Sequence, residues 1–253
     1  MVAASSKGLG FGIARELALN GATVCLASRT KDEVEKAAEQ LRKETGTTIH
    51  VSVFDAANSE SIQNWISEIN NTFERIDGLV VNAGGPPPGN FDDFADNDWL
   101  AAFNLTLMSA VRLIRGVLPA MRKAGEGSIL TITSMSVKEP VDRLLLSNVF
   151  RSGVTSLVKS LSNELAAENI RVNNLLPGRI DTNRVQSLDK NTAQNSGIQV
   201  DEVKRKNEQK IPLHRYGTTE EFGKAGAFLL SPAASYITGV SLAVDGGIMK
   251  TVW

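Results

Sequence analysis

Cysteine is nearly absent from this chain of 253 residues, in which Cys25 stands alone. A single cysteine excludes an internal disulfide bond and any metal cluster held by several cysteines. Because Cys25 lies within an apolar run, we expect a buried, unreactive thiol. So little cysteine fits a reducing, cytoplasmic setting.

An excess of charge of one sign and long apolar runs are also missing. The 27 basic and 28 acidic side chains give a formal net charge of −1, which leaves no electrostatic footprint for nucleic acid or an anionic membrane. No apolar run approaches the roughly eighteen residues of a membrane span, and the opening residues lack the charged and apolar regions of a signal peptide. We therefore expect a small-molecule ligand, and no nucleic acid, membrane or bound metal.

Strand-like and helix-like segments alternate along the whole chain. Residues 23–27, for example, are continuously apolar and β-rich, as in a strand buried on both faces. Such alternation predicts a parallel sheet with right-handed crossovers. We predict one α/β domain over residues 1–253, built as a doubly wound Rossmann sheet of seven parallel strands, ordered 3-2-1-4-5-6-7, between two layers of helices. Further helices are expected at about residues 31–45, 59–73, 96–123, 148–169 and 219–230, and strands at 50–55, 78–81, 128–133, 171–176 and 241–244.

The first strand of this sheet is short. Only Met1 to Ala4 precede the glycine-rich turn, whereas a central strand usually has about five or six residues. We expect either that residues before Met1 are missing from this chain or that the central strand itself is clipped.

A glycine-rich turn at residues 5–10 precedes the first helix. Gly8 and Gly10 let the backbone approach a pyrophosphate, whose charge the helix N-terminus then receives. A Gly-x-Gly pair alone is a weak signal because such turns often simply start helices. A nucleotide turn is therefore favoured, with a purely structural turn as the alternative.

The loop after the second predicted strand contains no acid. Folds that select NAD place an acidic residue here for the ribose 2′-hydroxyl, but this chain has Ser28 and Arg29. Lys7 in the glycine turn and Arg29 would both reach a 2′-phosphate. The pattern favours NADP over NAD, and the alternative is that both cations are solvated surface groups.

The segment from Ser134 to Arg151 brings hydroxyl groups and a permanent cation together near the end of a strand. Ser134 ends a predicted strand, and Ser147 and Arg151 open the next helix four residues apart, so that their side chains share one face. With the glycine turn, Asn82-Ala83-Gly84 and the closing Asp245-Gly246-Gly247, this order of motifs resembles the short-chain dehydrogenase/reductase family, and within it the 3-oxoacyl-carrier-protein reductases. The resemblance runs from about Val2 to Gly247.

Three departures from the family pattern stand out. Ser147 and Arg151 occupy the positions of its Tyr-x-x-x-Lys, Ala4 replaces the first glycine of Gly-x-x-x-Gly-x-Gly, and Val81 replaces the first asparagine of Asn-Asn-Ala-Gly. Serine is a far poorer acid than tyrosine, whose ordinary pKa is about 10. The only tyrosines, Tyr216 and Tyr236, lie far along the chain.

The resemblance implies four catalytic positions. Asn104 would bend its helix and hold a water, with a purely structural kink as the alternative. Ser134 would bind a substrate carbonyl, or else only cap the strand end. Ser147 and Arg151 are the other two catalytic positions.

The resemblance also implies a cofactor site. In it, Asp55 and Ala56 would bracket the adenine, although Asp55 is equally well explained as a helix N-cap, and Ile180 and Thr182 would contact the nicotinamide carboxamide. The full set is Ser5, Ser6, Lys7, Gly8, Leu9, Gly10, Ser28, Arg29, Asp55, Ala56, Asn82, Ala83, Gly84, Arg151, Pro177, Gly178, Ile180 and Thr182.

Two regions are expected to surround the substrate. The stiff loop 85–89 would wall its mouth, and the polar residues 183–213 would form a lid or a plain surface excursion. The resemblance further implies a homotetramer. Two functions stay open, an NADP-dependent oxidoreductase acting on a carbonyl or an alcohol, and a catalytically silent nucleotide-binding or assembly protein.

Overall fold

A computed structural model describes residues 1–252, so the last position of the predicted domain lies outside the described residues. The α-helices are α1 (Gly8–Leu19), α2 (Lys31–Thr45), α3 (Ser59–Thr72), α4 (Asp96–Phe103), α5 (Ser109–Ala124), α6 (Leu145–Glu164), α7 (Asn183–Ser196), α8 (Val200–Glu208) and α9 (Thr219–Leu230). The strands are β1 (Val24–Ser28), β2 (Ile49–Val53), β3 (Gly78–Val81), β4 (Gly127–Ile132), β5 (Ile170–Pro177) and β6 (Ser241–Val244).

The strands are all parallel. β1 pairs with β2, and β3, β4, β5 and β6 pair in chain order. Val2 joins the two groups because it forms parallel bridges to Leu26 in β1 and to Val80 in β3. The order β2-β1-Val2-β3-β4-β5-β6 is that of the predicted doubly wound sheet, with its first strand reduced to one bridging residue.

The predicted count of seven strands is therefore not met within residues 1–252, which contain six. The Val2 N–H donates to the Cys25 carbonyl at 2.9 Å, and the Ala3 N–H donates to the Val80 carbonyl at 3.1 Å. Ala4 then turns away with a φ of 47°. Because this left-handed residue ends the extended backbone, only Val2 pairs on both sides within residues 1–252, and both explanations of the short first strand stay open.

Apolar side chains pack on both faces of the sheet. On one face Trp65 of α3 and Leu113 of α5 are almost fully buried, and on the other Ile13 of α1 and Phe222 of α9 are fully buried. Each of these helices turns its apolar stripe toward the strands. The predicted three-layer α/β Rossmann fold is confirmed.

Glycines let α1 and α9 pack closely together. A Cβ atom on Gly12 would lie 2.3 Å from the Thr219 carbonyl oxygen, and one on Gly223 would lie 2.3 Å from the Gly12 carbonyl oxygen. Any larger residue would therefore push the helices apart. This contact fixes the position of α1, which starts beside the clipped strand.

The long helix predicted at residues 96–123 is interrupted near its middle. A turn of π-helix at Asn104–Met108, called the π-turn below, separates α4 from α5. The Asn104 side-chain amide donates to the Leu100 carbonyl at 3.1 Å. A mid-helix asparagine competes in this way for backbone groups, and π-turns are frequent at functional sites.

The segment Asp96–Ala124 is, by length and composition, apolar enough to cross a membrane, although no single apolar run in it suggested a span. Leu113, Val117 and Met121 of its second half are fully buried, and α5 contacts β3, β4 and α3. Core helices of this kind meet the same composition test, and packing against the sheet accounts for the apolar residues.

The predicted lid at residues 183–213 contains two helices. The Thr182 hydroxyl accepts a backbone N–H of the first turn of α7 at 3.3 Å and caps that helix. Only Asp189 and Ala193 of α7 and Val203 of α8 are buried. Neither helix therefore has the apolar period on which a prediction from sequence depends.

Candidate active site and cofactor site

The carboxyl ends of the strands meet along one edge of the sheet because the strands are parallel. Strand order reverses at Val2, between β1 and β3, and ligands of open α/β sheets bind at such a switch point. Most of the predicted site residues belong to the loops that leave this edge after Val2, β1, β3, β4 and β5. The topology therefore brings them to one crevice.

The turn at residues 5–10 presents the N-terminus of α1 to this crevice. α1 has no side-chain cap and no acidic residue in its first turn, so its first N–H groups have no side-chain acceptor of their own. Gly8 has a φ of 64°, a conformation that favours glycine. Such a helix start suits a phosphate, as the sequence predicts.

Two predicted cofactor residues hold this turn in place. Ser5 is fully buried, and its hydroxyl donates to one backbone carbonyl at 2.8 Å and accepts a backbone N–H at 3.1 Å. The Asn82 amide donates to the Ala4 carbonyl at 3.1 Å, and a Cβ atom on Gly10 would lie 2.7 Å from the same oxygen. The side chains of Ser5 and Asn82 thus shape the turn.

An acid lies among the groups predicted to bind a 2′-phosphate. Lys7 Nζ is 2.9 Å from Glu33 Oε1, and Ser6 Oγ is 3.4 Å from Glu33 Oε2. The hydrogen bond from Lys7 lowers the pKa of Glu33, with smaller contributions from Ser6 and Arg29. The Ser28 hydroxyl turns to a carbonyl of its own loop at 3.3 Å. Glu33 was not predicted as a site residue because it lies in the helix that follows, and not at the end of the strand.

The predicted adenine residues lie in the loop after β2. Asp55 Oδ1 accepts the Ala57 N–H at 3.0 Å, which closes a local turn. The N-cap of α3 is Asn58, whose side chain accepts the Ser61 N–H at 3.0 Å. The alternative that Asp55 caps this helix is therefore wrong. The contact of Asp55 and Ala56 with adenine stays a prediction.

The nicotinamide end of the predicted site lies between the ends of β3 and β5. A Cβ atom on Gly84 would meet no atom within 4 Å, so open space borders this backbone. Ile180 is 3 % exposed and forms a β-bridge with Gly217. Because its side chain is buried, only its backbone is left to contact a ligand. Thr182 lies at the start of α7.

Ser147 and Arg151 lie in the first two turns of α6, which begins three residues earlier than predicted. Arg151 Nε donates to Ser147 Oγ at 3.1 Å. Arg151 Nη1 also donates to the carbonyls of Ile132 and Thr133, at 3.0 and 3.1 Å. The guanidinium therefore joins the serine hydroxyl to the end of β4.

The glycine-proline loop after β3, predicted to wall the substrate mouth, is held at two points. The Gly89 N–H donates to the Arg143 carbonyl at 2.6 Å, and Arg184 Nη2 donates to the Pro86 carbonyl at 3.2 Å.

Burial lowers the pKa of Arg151 to about 10, and the nearby charge of Arg184 adds to this effect. Arg151 therefore stays protonated at neutral pH.

The other two predicted catalytic residues are engaged locally. Ser134 Oγ accepts the Ser136 N–H at 3.1 Å and caps a short 3₁₀ turn, which leaves its hydroxyl proton free to donate. Asn104 Oδ1 accepts from Arg112 Nη2 at 3.1 Å, and its amide group is bound to its own helix. The structure therefore joins Ser147 to Arg151 directly, and it shows structural hydrogen bonds for Ser134 and Asn104.

Neither tyrosine supplies the missing phenol. Tyr216 is buried and donates its hydroxyl to Asp189 Oδ2 at 2.8 Å. Burial and this hydrogen bond raise the pKa of Tyr216 to about 12, and Tyr236 is fully exposed. Asp189 Oδ1 also accepts from Arg179 and Asn207 at 2.9 and 3.1 Å. This buried network, which sequence reasoning missed, joins the lid helices to the loop after β5.

A cavity of about 10 Å³ borders Arg151, and Asn82, Thr106 and Thr133 are among its other lining residues. This volume is about that of a single water site. A larger cavity, of about 460 Å³, is lined by residues 190–200 of the lid alone and contains no predicted site residue. Within residues 1–252, no three His, Cys, Asp or Glu side chains are grouped as a metal site requires.

Comparison with known proteins gives matches along nearly the whole chain. The family model described as enoyl-(acyl carrier protein) reductase matches residues 3–249. Dehydrogenase/reductase SDR family member 4 of Oryctolagus cuniculus is 34 % identical over 98 % of this chain and 92 % of its own length. The 3-oxoacyl-[acyl-carrier-protein] reductase FabG of Chlamydia trachomatis is 31 % identical over 98 % of this chain and 96 % of its own.

Solved structures match as fully. L-sorbose reductase from Gluconobacter frateurii, complexed with NADPH and L-sorbose, has a TM-score of 0.94 and 30 % identity, covering 99 % of this chain and 96 % of its own. An NADPH-bound short chain oxidoreductase from Pseudomonas aeruginosa, containing an atypical catalytic center, has a TM-score of 0.87 and 26 % identity with the same coverage.

Proposed function

The chain belongs to the short-chain dehydrogenase/reductase family of NAD(P)-dependent oxidoreductases, and from this premise we propose that it is an NADP-dependent oxidoreductase. It reduces the carbonyl group of a small molecule, such as a 3-oxoacyl thioester, or oxidises the corresponding alcohol. The observation that carries this proposal is the match of 99 % of the chain to a reductase complexed with NADPH and its substrate.

The residues at the sheet edge fit the cofactor. The uncapped start of α1 suits the pyrophosphate, and Ser6, Lys7 and Arg29 provide polar and cationic groups at the adenosine end. Gly84 borders open space at the other end, where backbone can lie against the nicotinamide ribose. When bound there, NADPH supplies the hydride.

Ser147 would bind the substrate carbonyl as a hydrogen-bond donor. Its oxygen accepts from Arg151 Nε, so its own proton is free to donate to the substrate oxygen. The Arg151 cation, behind the serine, then stabilises the negative charge that develops on this oxygen. Because serine is a poor acid, the final proton comes slowly, from solvent, and turnover on ordinary ketones is slow.

A catalytically silent nucleotide-binding or assembly protein is the second candidate. It is favoured by the local hydrogen bonds of the Asn104 amide and the Ser134 hydroxyl, which are engaged within the protein itself. For either function we propose a single cofactor-binding domain with a lid at about 183–213, a cytoplasmic setting and a homotetramer.

The loss of the Ser147 hydroxyl tests the enzyme proposal. NADPH oxidation is measured on a panel of 3-oxoacyl thioesters, aldehydes and sugars, for the unaltered protein, Ser147→Ala and a control, Ser152→Ala. Ser152 lies on the same helix, but its side chain is exposed and its hydroxyl donates to the Asn148 carbonyl at 2.7 Å. We expect Ser147→Ala to lower the rate by roughly 10²- to 10³-fold, with unchanged NADPH affinity and an unchanged control. NADPH binding without oxidation of any panel member by the unaltered protein would favour the silent alternative.

A further inference from the structure

We propose that Glu33 limits the affinity of this protein for NADP because its carboxylate occupies the subsite of the 2′-phosphate as an internal anion. This inference rests on the proposed cofactor. It adds a residue that sets cofactor specificity to the three, Lys7, Ser28 and Arg29, that the sequence indicates.

The Glu33 carboxylate connects the turn before α1 with the start of α2, the two segments that would hold the phosphate. Lys7 and Ser6 belong to the turn before α1, and their polar atoms lie 2.9 and 3.4 Å from the two carboxylate oxygens of Glu33. Glu33 itself projects from the first turn of α2, just after Arg29 in the loop that follows β1. Lys7, which is predicted to bind the phosphate, and the neighbouring Ser6 therefore already bind an anion.

A carboxylate and a phosphate compete for these groups, because both are oxygen acceptors for the same ammonium and hydroxyl donors. A dianionic phosphate placed beside Lys7 would also repel the Glu33 carboxylate. The Lys7 and Glu33 side chains are 59 and 45 % exposed, and an ion pair so exposed is weak. NADP can therefore displace Glu33 from Lys7, but with a penalty that NAD, which lacks the 2′-phosphate, does not incur.

Glu33 also has a competing explanation, which makes the opposite prediction. An acid near the end of the second strand can accept a hydrogen bond from the ribose 2′-hydroxyl and so favour NAD. Under that explanation, neutralising Glu33 weakens NAD binding. Under the internal-anion explanation, neutralising Glu33 strengthens NADP binding and leaves NAD binding unchanged.

Calorimetric titration of Glu33→Gln distinguishes these explanations without any measurement of activity. The ligands are adenosine 2′,5′-bisphosphate and adenosine 5′-monophosphate, then NADP and NAD. The matched control is Glu35→Gln, which removes the same charge from α2 at a residue that pairs only with Lys31, at 3.8 Å. We expect Glu33→Gln to bind the bisphosphate and NADP about threefold to tenfold more tightly than the unaltered protein, with NAD, the monophosphate and the control unchanged.

Three results would overturn the proposal. An unchanged affinity for the bisphosphate, including no detectable binding to either protein, means that Glu33 does not compete with phosphate. Weaker NAD binding means that Glu33 binds the ribose hydroxyls, and equal tightening by the control means a general charge effect. The cofactor proposal fails by a different result, namely NADP binding to neither protein.

Discussion

Among single residues, Ser147 and Arg151 are the pair on which the proposed chemistry depends. The 3.1 Å hydrogen bond between them joins a neutral hydroxyl to a cation that burial has not deprotonated. Such a pair can orient and polarise a carbonyl, but it contains no group that readily gives up a proton near neutral pH. What is missing is therefore a general acid.

Restoring that acid is expected to speed the reaction. A general acid contributes roughly 10²- to 10⁴-fold, so Ser147→Tyr combined with Arg151→Lys should raise the rate of NADPH oxidation by a measurable part of that factor. Arg151→Lys alone serves as the control and should not raise the rate. No gain in the double variant, with NADPH binding intact, would mean that another group already donates the proton.

Ala4 offers a second test on one residue. Its φ of 47° costs an L-residue about 1 to 2 kcal/mol, whereas glycine adopts it freely. Ala4→Gly should therefore leave the free energy of unfolding unchanged or raise it by up to about 1 kcal/mol, since glycine also loses more chain entropy. The control, Ala101→Gly in the exposed middle of α4, should lower it by about 1 kcal/mol. Equal destabilisation in denaturant titrations would mean that Ala4 is not strained.

Motif spacing predicts these residues but not their partners. The positions of Lys7, Ser147 and Arg151 follow from motif spacing, which is a local property. The pairing of Lys7 with Glu33 and the binding of Arg151 to the carbonyls of Ile132 and Thr133 join elements distant in sequence. No pattern along the chain encodes such contacts.

Among the elements, α7 and α8 of the proposed lid are held by buried polar contacts. α7 and α8 bury few apolar side chains, and the carboxylate of Asp189 instead receives hydrogen bonds from Tyr216, Arg179 and Asn207. A buried carboxylate needs such partners to offset its lost hydration. We therefore regard this network as the anchor that holds the lid beside the crevice.

The network predicts a fall in stability at alkaline pH. The pKa of Tyr216 rises from 10.0 to about 12 on folding, so between these values the unfolded chain has lost a proton that the folded chain keeps. The free energy of unfolding should therefore decrease as pH rises through this window. Tyr216→Phe should remove the decrease and lower stability at neutral pH by about 1 kcal/mol.

The fully exposed Tyr236 provides the matched control. Tyr236→Phe should keep both the stability at neutral pH and the alkaline decrease, as measured by thermal unfolding over a pH series. An alkaline decrease that persists in Tyr216→Phe would assign it to other groups.

Elements with strong local signals were predicted closely from the sequence. The bounds of α2, α9 and β6 agree with the predicted ranges because capping residues and apolar periods mark them. The helices of the lid were not foreseen because their buried face is narrow and partly polar. The π-turn at Asn104–Met108 was foreseen only as a kink, since its hydrogen-bond pattern depends on the packing of the neighbouring helices.

For the whole molecule, family analogy suggests a homotetramer, and substitutions on the surface can test it. α4 and α6 lie against each other, with the rings of Trp99 and Phe150 packed edge to face at a centroid distance of 5.9 Å. Leu100 and Val149 beside them are 58 and 44 % exposed. A second copy packed on this face would cover them.

Charging this face should break the proposed homotetramer. Leu100→Glu combined with Val149→Glu places two carboxylates in the contact, and light scattering should then report a smaller species than for the unaltered protein. The control is Phe228→Glu, which charges a residue of α9 that is 42 % exposed and should keep the larger species. A monomer at micromolar concentration for the unaltered protein contradicts the tetramer.

The overall topology was the most predictable feature, since alternating strands and helices leave few possible arrangements. The one departure is the central strand, of which residues 1–252 contain only the bridging residue Val2. The reaction was less predictable, because this chain departs from the family pattern at the position whose side chain donates the proton in the family. Only the reaction itself settles whether hydride transfer survives.

The most direct measurement of that central claim is isotope transfer from NADPH deuterated at the transferable positions of nicotinamide C4. After long incubation with the carbonyl panel, mass spectrometry of the products detects even slow turnover. We predict deuterium in at least one alcohol product with the unaltered protein, less with Ser147→Ala and an unchanged amount with Ser152→Ala. A protein that binds NADPH yet transfers no deuterium to any substrate would contradict the account and leave a nucleotide-binding protein without catalysis.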